Sequence, residues 1–135
     1  MAQLEIASRD KEGVKILDLS GKLTVGGASD LREKVNAETA GGSLQQLLNL
    51  KDVEYIDSTG LGALVVCVTG LRRIEGNMKL LNLNRRNIDL LVMTKLDTVF
   101  EVFTDEQDAV SSYYPDRKIK AFDILNFVQQ MKKEA

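Results

Sequence analysis

Apolar and polar positions alternate along this chain with two different periods, and the switches between them mark out its elements. Leu4-Glu5-Ile6 alternates as a half-buried strand does. Val14-Lys15-Ile16-Leu17-Asp18-Leu19 repeats the pattern after Gly13, so the pair predicts a hairpin. Gly21 breaks the alternation, and Lys22 to Gly27 reads as a bent loop. A short helix is predicted from Ser29 to Thr39, with Leu31 and Val35 inward and Gly41-Gly42 ending it. Leu44 to Leu50 carries Leu47, Leu48 and Leu50, the run expected of a central strand covered by helices. Val53 to Ile56 leads out of it.

The clearest helix follows. Leu61, Leu64, Val65, Val68, Leu71 and Ile74 fall at offsets 0, 3, 4, 7, 10 and 13, an apolar stripe of helical period. Gly76-Asn77 stops it, and Lys79-Leu80-Leu81-Asn82-Leu83 reads as a strand. Asn87 to Thr94 predicts a helix with Ile88, Leu91 and Val92 inward. Val99 to Phe103 predicts a strand, and Thr104-Asp105-Glu106 caps a last helix through Val110. Strands alternating with helices give an α/β domain with a small mixed β-sheet.

Pro115, the only proline, marks a boundary. Beyond it Ile119, Phe122, Leu125, Val128 and Met131 repeat every third residue, with Ile124 and Phe127 alongside, as in an amphipathic helix. The expected organisation is therefore a domain over 1–115 and a helical extension over 116–135. The extension carries a net charge of +2 against −4 on the rest. That excess is too small for a membrane-surface helix, so packing on the domain, a homodimer, or docking on a partner are the uses to weigh.

Composition narrows the chemistry. Histidine is absent, which removes Ser-His-Asp triads, Cys-His dyads and His-ligated zinc. A net charge of −2 and few aromatics leave no nucleic-acid footprint. No stretch reaches the ~20 apolar residues of a membrane span, and no leader pattern opens the chain. The single cysteine, Cys67, excludes an internal disulfide and fits a reducing compartment. A soluble, cytoplasmic protein without cofactor or metal is expected.

Asp57-Ser58-Thr59-Gly60-Leu61-Gly62 stands where the apolar strand meets the long helix. Backbone N–H groups at a helix start are unpaired and carry partial positive charge. Either Asp57 or Ser58 can accept from them as the N-cap, and Gly60 and Gly62 keep side chains off the first turn. A phosphoryl group on Ser58 would add about −1.5 to −2 charges at a place whose dipole tolerates them. On the same helix Ala63, Val66, Cys67 and Gly70 form a smooth, weakly polar strip. It is either a reversible protein interface or a surface covered by another part of the chain. Cys67 has no basic neighbour placed to activate it and reads as a small buried hydrophobe. Arg72-Arg73 and Arg85-Arg86 read as solvated pairs able to meet an acidic partner.

The run Leu48-Asn49-Leu50-Lys51-Asp52-Val53-Glu54-Tyr55-Ile56-Asp57-Ser58-Thr59-Gly60-Leu61-Gly62 resembles the signature of the STAS domain of bacterial anti-sigma factor antagonists. Gly21-Lys22-Leu23 with Ala28-Ser29-Asp30-Leu31-Arg32-Glu33 resembles its early turn and first helix. Lys79 to Leu83 and Thr94 to Phe100 resemble a later strand and a helix-to-strand corner. Together these cover about residues 4–113, in order.

The resemblance implies a STAS-like α/β fold, its small mixed sheet carrying helices mainly on one face, with the C-terminal amphipathic helix as an addition. It implies that Ser58 is phosphorylated by a partner serine kinase that is also the anti-sigma factor, with Asp57, Thr59 and Gly60 supporting the site. The unphosphorylated domain would bind that kinase and free the sigma factor, and phosphorylation would end the binding. A phosphatase is a further partner to weigh, should the mark be reversed. Partner contacts would fall on Gly62, Ala63, Val66, Cys67 and Gly70, and on Thr24, which stands where many members carry an acidic residue. The domain would be substrate and binding module, not an enzyme. A non-switching STAS scaffold, in a stress-signalling assembly or a membrane transport system, is the alternative. A small hydrolase built on Asp57 and Ser58 lacks a second convergent base.

Overall fold

The computed structural model describes residues 4–117 and 124–134. Strand β1 (Leu4–Lys11) turns through Glu12 and Gly13, both at positive φ, into the antiparallel β2 (Val14–Leu23). Helix α1 (Val25–Ala40) leads to β3 (Gln45–Ile56), and α2 (Ser58–Arg73) leads to β4 (Asn77–Leu81). Helix α3 (Arg85–Met93), a 3-10 turn at Leu96–Thr98, β5 (Val102–Phe103), α4 (Glu106–Ser111) and α5 (Ile124–Glu134) complete the order. The sheet is five-stranded with order β1-β2-β3-β4-β5, antiparallel only at β1–β2.

Alternation within the central strands assigns the two faces of the sheet. Leu17, Leu19, Leu48, Leu50, Met78 and Leu80 point to the face that carries α1, α2 and α3, where they meet Leu31, Val35, Leu64, Val68, Ile88 and Leu91. Val14, Ile16, Leu47 and Leu81 point the other way, against Phe103 and against Ala109 and Val110 of α4. Burying such a side chain contributes about 2 kcal/mol, so the main cluster on the helical face dominates stability. Helix α5 lies on α3, where Val128 joins that cluster and Ile124 and Phe127 pack against it. Ile119 and Phe122, expected on the same stripe, lie outside the described residues.

The structure departs from the predicted elements at informative places. Gly21 does not end β2. It adopts φ +118 beside shifts in the β2–β3 register, so a bulge bends the strand without stopping it. The predicted bent loop is instead the end of β2 and the first turn of α1, which starts at Val25 with Thr24 as N-cap. A Cβ on Gly27 would come within 2.7 Å of the Lys22 carbonyl oxygen, so close packing, not looseness, places glycine there. Strand β3 runs unbroken through Lys51-Asp52, both exposed. The predicted strand over Val99–Phe103 shrinks to two residues, because the 3-10 turn takes Leu96–Thr98 and Val99 closes it. Ile74, placed on the inner stripe by periodicity, caps α2 and is 48% exposed.

At the N-terminal ends of β2, β3 and β4, side chains tie the elements together. The Tyr113 hydroxyl donates to the carbonyls of Gln46 and Asn77, and burial pushes its pKa far up. Lys79 is buried on this face. Its ammonium donates to the Ser112 carbonyl and hydroxyl at 3.2 and 2.8 Å, pairs with Glu101 at 3.0 Å and faces the Tyr113 ring at 4.3 Å. A lysine buried there is tolerable only because it is fully partnered. The Glu12 carboxylate accepts from Gln107 and Arg117, and the Tyr114 hydroxyl donates to the Glu12 carbonyl.

Candidate functional site

The C-terminal ends of β2 and β3 set the geometry of the Asp57-Ser58 corner. Ile56 ends β3 buried, the Asp57 N–H donates to the Leu23 carbonyl at 3.2 Å, and α2 begins at Ser58. Asp57 is the N-cap: its backbone is extended and its carboxylate accepts from the Gly60 N–H at 2.8 Å. The choice between Asp57 and Ser58 is thereby decided. Ser58 holds the first helical position, is exposed, and makes no side-chain hydrogen bond among the described residues.

Gly60 has a different role from the one expected. It is buried, and a Cβ there would lie 2.1 Å from the Leu23 carbonyl oxygen, so its missing side chain lets α2 press onto the end of β2. Gly62 has open space around it, and an approachable first turn is provided there. Thr59 is exposed beside Ser58.

The strip on α2 divides. Helix α1 packs alongside α2 against Cys67, and Ala63 and Cys67 are 1% and 6% exposed, so an open strip through all four residues is not what forms. Arg32, Val35, Asn36 and Thr39 of α1 line the seam with Val66, Cys67 and Gly70. Burial pushes the Cys67 thiol up to about 11, with nearby Arg32 only partly opposing it, so the thiolate is scarce at neutral pH. Gly62, Val66 and Gly70 stay at the surface, with Val66 59% exposed. Thr24 follows the Leu23 that supports Gly60, but it lines a separate recess with Ser20, Gly21, Lys22, Asp52 and Glu54.

Ser58 instead faces a groove whose far wall is α3. Tyr55, Ile56 and Asp57 form its strand side, and Arg86, Asp89, Leu90 and Met93 its helix side. Asparagines fix that wall. Asn84 caps α3 by accepting from the Asn87 N–H at 2.8 Å, and its amide donates to the Val53 and Glu54 carbonyls at 3.2 and 3.1 Å. The buried Asn87 amide donates to Val53 at 3.1 Å. Both are bolted to the end of β3, so α3 and Ser58 hang from one strand. Arg86 stacks over Tyr55, 4.7 Å from the ring centroid, and Met93 is 82% exposed.

Sequence reading missed this wall. The Asn84…Asn87 spacing was the available signal, a cap and a partner three residues on, but their bonds reach across some thirty residues to β3. Of the arginines read as solvated, Arg72 instead donates to the Val99 carbonyl at 2.7 Å. Among the described residues no cluster of acidic or thiol groups converges as a metal site, and no helix is long and apolar enough to cross a membrane.

Residues 5–109 match the family model of the STAS domain. The anti-sigma-B factor antagonist of Bacillus subtilis (strain 168) is 35% identical over 95 residues, covering 70% of this chain and 85% of that protein. An anti-sigma factor antagonist from Mycobacterium paratuberculosis superimposes with a TM-score of 0.73 at 22% identity, covering 81% of this chain and 92% of that one. The phosphorylated form of the Bacillus cell fate determinant SpoIIAA superimposes with a TM-score of 0.64 at 17% identity, covering 81% and 99%. The two structures speak for the fold, and it is the one built here: a five-stranded mixed sheet with its main helical layer on one face. Matched over most of its length by the family model and over most of a relative's length at 35% identity, the chain belongs to the STAS domain family.

Proposed function

We propose that this chain is an anti-sigma factor antagonist that works as a phosphorylatable switch, with Ser58 as the acceptor. The observation that carries the reading is the division of labour at the start of α2. Asp57 holds the cap, which leaves the Ser58 hydroxyl exposed and unengaged at the mouth of a groove. A phosphoryl group can then be added without removing the bond that starts the helix. The Bacillus subtilis relative supplies the class of partner, an anti-sigma factor, and SpoIIAA supports modification, since it is known in a phosphorylated form.

In this reading the unphosphorylated groove docks an anti-sigma factor that is also a serine kinase. Met93, Leu90 and Tyr55 provide its apolar contact, and Val66, Gly62 and Gly70 extend the footprint along α2. Phosphorylation places about −1.5 to −2 charges among these residues. Covering such a group without full compensation costs several kcal/mol, enough to release the partner by itself. The chain is substrate and binding module, and the chemistry belongs to the partner.

Incubation with the candidate partner kinase and ATP, followed by intact-mass measurement, tests this directly. The native chain should gain one phosphate and lose its partner, and Ser58→Ala should gain none and stay bound. A native chain that binds the partner and is never modified would move the function to a constitutive scaffold.

A further inference from the structure

Among the described residues, Arg86 is the one cation lining the groove beside Ser58. Its charged neighbours are the carboxylates of Asp57, on the cap of α2, and Asp89, one turn along α3, with the neutral phenol of Tyr55 on β3. Arg86 makes no ion pair with a carboxylate among the described residues; its guanidinium carbon sits over the Tyr55 ring, 4.7 Å from the centroid. A stacked guanidinium uses its face and keeps its N–H donors unspent. The stack is aimed, because Asn84 and Asn87 pin the first turn of α3 to Val53 and Glu54, the strand end that runs through Tyr55 into Ser58. The neighbouring Arg85 lines an adjoining groove with Val92, Val128 and Met131 under α5; Asp89 and Met93 form the ridge common to both, with Arg85 on the side away from Ser58.

We propose that Arg86 is the built-in counter-ion of a phosphoryl group on Ser58, leaving the Tyr55 ring to make a bidentate pair with it. The inference rests on the reading of Ser58 as the acceptor. A guanidinium fork matches two phosphate oxygens, and a charge-assisted pair of that kind outcompetes an exposed stack on a phenol ring. Asp57 and Asp89 raise the phosphate's second pKa; the partial positive charge at the start of α2 lowers it, and Arg86 is the side chain lining the groove that adds to that lowering. The mark then alters the partner's footprint twice: an anion is added at Ser58, and the arginine is withdrawn from Tyr55. The second change comes from a side chain the protein already holds in place.

The test needs no kinase. Phosphoserine is installed at position 58 by expanded-code synthesis, and the phosphate is titrated by phosphorus NMR in the native background and in Arg86→Gln, Arg86→Lys and Arg85→Gln. Arg86→Gln should raise the phosphate pKa by about half a pH unit or more, Arg85→Gln should leave it within about 0.2, and Arg86→Lys should fall between. Tyr55 ring protons should shift on phosphorylation in the native chain and not in Arg86→Gln. Equal effects of the two glutamine variants, or a Tyr55 ring indifferent to the phosphate, would overturn the pairing. Because the phosphate is installed, a kinase that ignores Ser58 sinks the switch and leaves this result standing, and the reverse holds too.

Discussion

The two ends of the parallel strands are built in opposite ways. At their N-terminal ends Tyr113, Lys79, Glu101, Ser112 and Glu12 spend nearly every donor and acceptor on one another or on nearby backbone. At their C-terminal ends backbone fit does the holding. Gly60 rests on the Leu23 carbonyl, Asp57 caps α2, and two asparagines fix α3. The difference leaves Ser58, Arg86 and Met93 free to act on something outside the domain. Apart from the buried Gln46 Oε1, which has no partner among the described residues, one end turns its side chains on the domain itself and the other has chemistry left over.

The sharpest way to break that contrast is Gly60→Ala. A methyl group aimed 2.1 Å from the Leu23 oxygen must force α2 away from β2, at about 3 kcal/mol, read by urea denaturation. Gly62→Ala, two residues on with nothing within 4 Å, should instead stabilise by about 0.5–1 kcal/mol. Equal effects from the two would mean that Leu23 does not seat the helix.

At the stapled end, Tyr113→Phe leaves the Gln46 and Asn77 carbonyls short of a donor and should cost about 2 kcal/mol in the same measurement, with no change in phosphorylation. Loss of phosphorylation in that variant would show that the two ends are coupled.

The smallest expected effects separate adjacent residues. Asp57→Ala removes a cap and should lower stability by about 1 kcal/mol, whereas Ser58→Ala should change it by less than about 0.5 kcal/mol. If Ser58→Ala proved the costlier change, its hydroxyl would be structural and the switch reading would weaken.

How much of this was legible in the sequence depended on the range of the interaction concerned. Helix α2 could be read because Leu64, Val68 and Leu71 repeat within a single element, and the motif at Asp57-Ser58 because its capping bond spans three residues. Gly21 misled because a glycine that permits a bulge and one that ends a strand look alike without the partner strand. Cys67 and Ala63 were placed on a strip that α1 half covers, and no local pattern records which neighbour a helix leans on. The α3 wall escaped for the same reason: Arg86 matters through Tyr55 and Asn87 through Val53, contacts that exist only once the sheet has formed.

The clasp between Glu12 and the segment around Tyr114 and Arg117 has a consequence for the order in which the molecule assembles. Its bonds join residues 102 and 105 positions apart, so they close nearly the whole domain into a ring. A chain emerging from the ribosome can form the β1–β2 hairpin early, because those contacts are local and quick. The clasp must wait until the strands and helices between its two halves have been made. Closing so long a loop costs more entropy than any local turn, so the clasp belongs late on the folding route. Contacts formed late act chiefly on unfolding, which makes this seam a brake on opening rather than a seed for folding.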